Sequence, residues 1–213
     1  MKKLHFLWGI ALLMLSGCAV NYLTQSKSYS ADKKSYRQIA VIGVSKSHVA
    51  RAQFEEEVAA KLQARGVYAI PSFNSGIDIP MEEMLTDEQT QDINRQMLEA
   101  GYDGALVTNL VNTTQYTDVI PGTGYMGFYP FRYGRFGRYT AYYAIPYWEP
   151  DRMVSGTRYV LETCLYALDN GKEDNLQWAG MFELKNPSNL NVVTLKYAAE
   201  LTEALLRESI LEE

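Results

Sequence analysis

The chain has 213 residues, 20 basic against 25 acidic, a formal charge of −5 and 47% hydrophobic residues. Those figures suit a single domain with a proper core, and the acidic balance argues against nucleic acid as a partner. Two histidines and two cysteines in all argue against a His/Cys zinc cluster, while a carboxylate-only calcium site stays open.

The chain opens on Lys2 and Lys3, an apolar run from Phe6 to Leu15, and the small residues Ser16 and Gly17. That is the layout of a secretory signal peptide, and the run is far short of the roughly 20 residues a membrane-spanning helix needs. Leu15-Ser16-Gly17-Cys18 resembles the bacterial lipobox. The resemblance implies that residues 1–17 are removed and that Cys18 becomes an N-terminus carrying a thioether-linked diacylglycerol and an N-acyl chain such as palmitate. Several acyl chains at about 0.8 kcal/mol per buried CH₂ make a permanent anchor. Ala19 after the cysteine, where an Asp would imply inner-membrane retention, implies the outer membrane, facing the periplasm. Without residues 1–17, and so without Lys2 and Lys3, the charge becomes −7. Cys164 is then the one thiol, so no intramolecular disulfide forms; it sits in a strand pattern and is expected to be buried.

Residues 18–36 are polar, with no apolar period beyond the lipidated cysteine, and read as a flexible tether. Eighteen residues of coil reach roughly 25 Å, and about 60 Å fully extended. Gln38 to Val44 is a continuous apolar run, the mark of a strand buried on both faces. Arg51 to Arg65 spaces Phe54, Val58 and Leu62 by four and stops at Gly66, an amphipathic helix. Within it, Glu55-Glu56-Glu57 reads as a solvated face. Val67 to Phe73 is a second strand. Thr86-Asp-Glu-Gln89 is a capping box opening a helix with Ile93 and Met97 inward and Gly101 at its end. Gly104 to Val111 is a third strand, running on through Thr117. This strand-helix-strand-helix-strand order predicts a parallel sheet with right-handed crossovers. Thr157 to Leu168 and Leu176 to Leu184 alternate about the turn Asp169-Asn170-Gly171-Lys172 and predict an antiparallel hairpin. Pro187 to Asn191 opens a last helix with Ala198, Leu201 and Leu205 as its buried stripe. The expected fold is an α/β three-layer sandwich over residues 37–213, with a mixed sheet of about five strands and a long insertion at 116–149.

The segments RQIAVIGVSKS, ARGV, EAGYDGALVTNLV and YALDNGKEDNLQWAG, in that order, resemble a broad group of small bacterial lipoproteins. Their domain is similar to the periplasmic α/β domain of the curli-secretion lipoprotein CsgG, the exopolysaccharide-export lipoprotein PelC and the penicillin-binding-protein activator LpoB. The resemblance covers roughly residues 37 to 211. It implies an envelope-associated binding or assembly role, and its motifs are turns and strand ends rather than catalytic residues.

The insertion is the chain's compositional outlier. It holds Tyr116, Tyr125, Phe128, Tyr129, Phe131, Tyr133, Phe136, Tyr139, Tyr142, Tyr143, Tyr147 and Trp148, with eight of the 16 tyrosines. Five glycines are interleaved, Arg132, Arg135 and Arg138 recur every third residue, and no acid lies between Asp118 and Glu149. A local charge of +3 therefore sits in a mature chain that is −10 elsewhere. Long unstructured loops are uncommon and usually functional, and Tyr and Arg are enriched at binding hot spots. Four readings fit: rings packing on the domain's own flank; a protein interface, homo-oligomeric or with an envelope partner; a membrane or lipopolysaccharide surface; and carbohydrate stacking. The candidate binding residues are Tyr125, Phe128, Tyr129, Phe131, Arg132, Tyr133, Arg135, Phe136, Arg138, Tyr139, Tyr142, Tyr143, Tyr147 and Trp148.

Catalytic candidates are few. Ser45, Ser47 and His48 follow the first strand, at the carboxyl end where α/β sheets place ligands. They lack a G-x-S-x-G elbow, and helix capping explains the serines. Asp103 between Gly101 and Gly104 is ordinary turn chemistry. Gly122-Thr-Gly124 lacks the lysine and helix of a phosphate loop. The expectation is a non-enzymatic, lipid-anchored component of an envelope assembly, without cofactor or metal. The alternatives are a monomeric regulator of a cell-wall synthesis enzyme, or an envelope hydrolase using His48.

Overall fold

A computed structural model describes residues 21–81, 85–133, 139–168 and 176–211. The segment read as a signal peptide, Cys18 and the turn read at 169–172 lie outside them. The chain divides into two units, one of residues 1–112 and 159–213 and one of Thr113–Arg158.

The first unit is built on a sheet of six strands: β1 (Leu23–Ser28), β2 (Ile39–Gly43), β3 (Ala69–Pro71), β4 (Gly104–Ile120), β7 (Arg152–Ala167) and β8 (Leu176–Lys185), in the order β1-β8-β7-β4-β2-β3. β3 and β4 both pair parallel to β2, as the strand-helix-strand order predicts. Leu168, just past β7, donates its N–H to Asp103, just before β4, so these neighbours run antiparallel. The connection from β7 to β8 is too short for a parallel crossover. The sheet is therefore mixed, as expected, with one strand more than the sequence suggested.

Strand β2 reads IAVIG and is buried throughout, because helices cover both its faces. Ile39 and Val41 join a core with α1 (His48–Gln63) and α3 (Leu190–Glu208), through Val58, Leu62, Leu201 and Leu205. Ala40 and Ile42 face α2 (Asp87–Glu99) and the turn that follows it, through Met97 and Tyr102. Each fully buried aliphatic chain contributes roughly 1.5–3 kcal/mol. The helix signals in the sequence are met. Ser47 caps α1, Thr86 and Gln89 form the capping box of α2, and Asn189 caps α3. Gly66 and Gly101 take φ of 80° and 92°, so that Val67 and Tyr102 reach back to Leu62 and Met97 carbonyls as Schellman stops, which favour glycine at the left-handed position. Cys164 is buried. Burial, reinforced by the Glu162 charge, pushes its thiol up from the ordinary range.

Two sequence readings are corrected. The stretch read as a tether is part of the domain from Tyr22 onward. β1 pairs antiparallel with β8, and two carboxylates of α3 hold it. Glu200 accepts the N–H groups of Tyr22 (2.7 Å) and Leu23 (2.9 Å). Glu208 accepts Ser26 Oγ (3.0 Å) and the Trp178 indole N–H (2.7 Å). Lys34 then bridges Ile210, and Tyr36 is buried in the main core. Nothing in LTQSKS announces a strand, because an edge strand lies half in water and its partners stand about 150 residues away.

The second correction is Glu55. Glu56 is solvated, but Glu55 has no exposed surface. Its carboxylate accepts Gly43 N–H (2.9 Å), Arg51 Nε (2.9 Å), Ser72 Oγ (2.8 Å) and Phe73 N–H (3.3 Å). Arg51 Nη2 also donates to Ser72 Oγ at 2.7 Å. One buried charge thereby joins the end of β2, the first turns of α1 and the 3₁₀ turn after β3.

Removing one partner of a buried charged pair costs about 3–5 kcal/mol. Glu55→Ala is expected to lower unfolding free energy by about that amount, and Glu55→Gln by less, as read by urea titration at an unchanged denaturant slope. Glu208 answers to pH. Its burial works to raise the carboxyl, but hydrogen bonds from Arg207, Trp178 and Ser26 outweigh it and hold the group below the usual range. A carboxyl depressed in the folded state contributes stability that is whole above its unfolded value and fades as pH falls through the folded one. Glu208→Gln should cost about 1–2 kcal/mol at pH 7, since Arg207 is solvent-screened. The gap to the parent should close as the pH drops below about 4.5.

Candidate functional site

The unit Thr113–Arg158 contains the outer halves of β4 and β7 and a two-stranded sheet of β5 (Gly124–Tyr133) and β6 (Tyr139–Trp148). β5 and β6 pair antiparallel without a break from Gly124↔Trp148 to Tyr133↔Tyr139. Its base is closed by two backbone N–H groups. Gly122 N–H donates to Asp151 Oδ1 (2.8 Å) and Glu149 N–H to the Thr123 carbonyl (3.1 Å). A Cβ on Gly122 would fall 1.7 Å from the Glu149 carbonyl oxygen, so that approach requires glycine. Across the ribbon, the Trp148 ring lies over Gly124, where a Cβ would stand 2.6 Å from it. Tyr125 and Tyr147, paired in register, stack at 4.9 Å. Cross-strand aromatic pairs of this kind stabilise a ribbon by about 0.5–1 kcal/mol.

These rings are outward. Trp148 is 74% exposed and Phe128 and Tyr142 each 68%, with Tyr125 and Tyr147 about half exposed. Met126, Ile145, Val119, Ile120, Met153 and Val154 are exposed in the same unit. For Tyr129, Phe131, Arg132, Tyr133, Tyr139 and Tyr143 the structure gives the strand register; Arg135, Phe136 and Arg138 lie outside the described residues. Each strand of the two-stranded sheet has one neighbour, so among the described residues each leaves one edge unpaired.

The first unit holds a second feature, which the sequence reading does not anticipate. β2 is flanked by β3 on one side and β4 on the other, and such a switch in strand order leaves a crevice at the carboxyl ends of the strands. There a groove of about 760 Å³ opens between the first turns of α1 and α3. Gly43, Val44, Thr108, Phe54, Leu161, Leu184, Val193 and Tyr197 are among its lining residues. Beneath it a buried chain of hydroxyls runs from Thr108 to Thr163 (2.7 Å) and on to Tyr197 (2.6 Å). Burial pushes the Tyr197 phenol well above the ordinary tyrosine range, so it stays a neutral hydroxyl. The clue was present: Thr108 and Thr163 interrupt apolar strand faces.

The catalytic candidates are occupied otherwise. Ser47 Oγ accepts Ala50 N–H and Ser45 Oγ accepts Ser47 N–H, which is capping. His48 is exposed at the first position of α1. Asp103 accepts the N–H groups of Arg37 (3.0 Å) and Gln38 (3.1 Å), the turn role expected of it. Among the described residues no three His, Cys, Asp or Glu side chains are grouped to hold a metal.

No protein-family model matches the chain, and no curated protein matches it. Among solved structures it is similar to a PelC dodecamer from Paraburkholderia phytofirmans, at 11% identity and a TM-score of 0.44, over 89% of this chain and 99% of that one. A PelC variant dodecamer from the same organism gives 11% identity and a TM-score of 0.45, over 87% and 97%. A PDZ domain protein from Parabacteroides distasonis gives 9% identity and a TM-score of 0.37, over 96% of this chain and 40% of that one.

Proposed function

We propose that this protein is a non-enzymatic component of a cell-envelope assembly, held through acylated Cys18 in the outer membrane and facing the periplasm, and that its aromatic ribbon is a protein interface. The observation that carries the reading is the ribbon itself. Exposed rings of Tyr125, Phe128, Tyr142, Tyr147 and Trp148 stand on a sheet with two unpaired edges. Large rigid rings give binding energy at little entropic cost, and an open strand edge is a template for a strand of another chain. The charge distribution favours a second copy as partner: residues 119–148 carry +3 and the rest of the mature chain −10. The alternative, a regulator reaching across the periplasm, is disfavoured by β1. With Leu23 already in the sheet, the chain from Cys18 spans at most about 15–20 Å.

The test is the light-scattering mass of residues 19–213, with and without residues 121–148. A defined oligomer that becomes a folded monomer on deletion is the expected result. Phe128→Ser with Tyr142→Ser, both 68% exposed, should weaken the oligomer while leaving the thermal midpoint within a few degrees, because surface substitutions seldom move stability by more than about 0.5 kcal/mol. A monomer in every form would remove self-assembly and leave an envelope partner or membrane surface for the ribbon.

A further inference from the structure

We propose that the groove at the carboxyl ends of β2 and β4 binds a long-chain acyl carboxylate, its alkyl chain inside and its anion at the mouth by Lys46. The groove belongs to the first unit and is independent of the ribbon. Its volume, about 760 Å³, lies within the usual range for small-ligand sites.

The lining decides the body of the ligand. Phe54, Leu161, Leu184 and Val193 present apolar surface, and three of the lining hydroxyls, on Thr108, Thr194 and Tyr197, are already engaged. Thr108 and Tyr197 bond through Thr163, and Thr194 Oγ1 donates to the Leu190 carbonyl at 2.8 Å. A peptide or sugar would bury polar groups there without partners, at a cost of about 1–3 kcal/mol each. An alkyl chain buries none.

The charges decide its end. Two cations, Lys46 and Arg51, line the groove and no acid does, in a chain of net charge −5. Arg51 is engaged by Glu55, whereas Lys46 stands exposed on the loop before α1. Both helices that open on the groove lack an acidic residue in their first turn, unlike α2, which has Asp87 and Glu88. Their caps, Ser47 and Asn189, are neutral, so no side-chain charge offsets the N-terminal partial charges, which favour an anion.

The test uses the full chain in isolated membranes, exposed to a diazirine-bearing C16 fatty acid and, separately, to the diazirine amine of equal chain length, with labelled peptides mapped by mass spectrometry. The acid should label peptides carrying Phe54, Leu161 or Val193. The amine should label them about five-fold less, and Lys46→Glu should cut acid labelling by a similar factor, the scale of one exposed charge contact. Leu161→Trp, which fills the groove, should abolish it. Equal labelling by acid and amine, or none on these peptides, overturns the proposal. So does labelling that appears only when residues 121–148 are deleted, because a second copy's ribbon would then be the occupant.

Discussion

The Glu55 carboxylate is the constraint from which the geometry of the first unit follows. A carboxylate taken wholly out of water is tolerated only when nearly every lone pair is matched. Here the matches come from three separate pieces of chain, at Gly43, Arg51 and Ser72–Phe73. β2 therefore cannot shift along α1, nor the 3₁₀ turn away from either, without stranding a charge. Gly43 belongs to the same constraint. A Cβ there would stand 3.0 Å from the Phe54 ring, so the strand end and helix approach as closely as they do because that residue has no side chain. The crevice lies beyond Gly43, where the chain leaves β2 toward the helix and Val44 N–H still donates to the Thr108 carbonyl of β4.

At the far edge of the sheet the same device recurs in weaker form. β1 has almost no apolar content, and its backbone is held by Glu200 and its side chains by Glu208, while Lys33 donates to the Leu206 carbonyl. Charge-assisted hydrogen bonds, each contributing about 1.5–3 kcal/mol, take over where hydrophobic burial is missing. The order of the segment before β2 thus depends on carboxylates at the other end of the chain.

The elements that stand on periodicity and local chemistry were legible: β2 from an unbroken apolar run, α2 from its capping box, and the helix stops from Gly66 and Gly101. What escaped was set by partners distant in sequence. LTQSKS is a strand because β8 offers it a ladder. Glu55, between Phe54 and Glu56, is indistinguishable in a helical wheel from a solvated acid until Gly43 and Ser72 arrive beside it. The groove is a property of strand order, which no local window contains. The aromatic segment stood out by composition, while its pairing as β5 and β6 is a matter of register that composition does not give.

These observations also account for the charge asymmetry. Glu55, Asp103, Glu200 and Glu208 satisfy backbone and side-chain donors within the first unit. Acid placement is thereby tied to folding, and substitution at any of the four strands a donor. Between Asp118 and Glu149 there is no acid at all, and the ribbon is instead held by backbone pairing, glycine approach and stacked rings. The carboxylate that accepts a hydrogen bond at its base, Asp151, lies outside that acid-free stretch. The two parts of the chain thus hold their folds by different means, carboxylates in the first unit and strand pairing with ring contacts in the second.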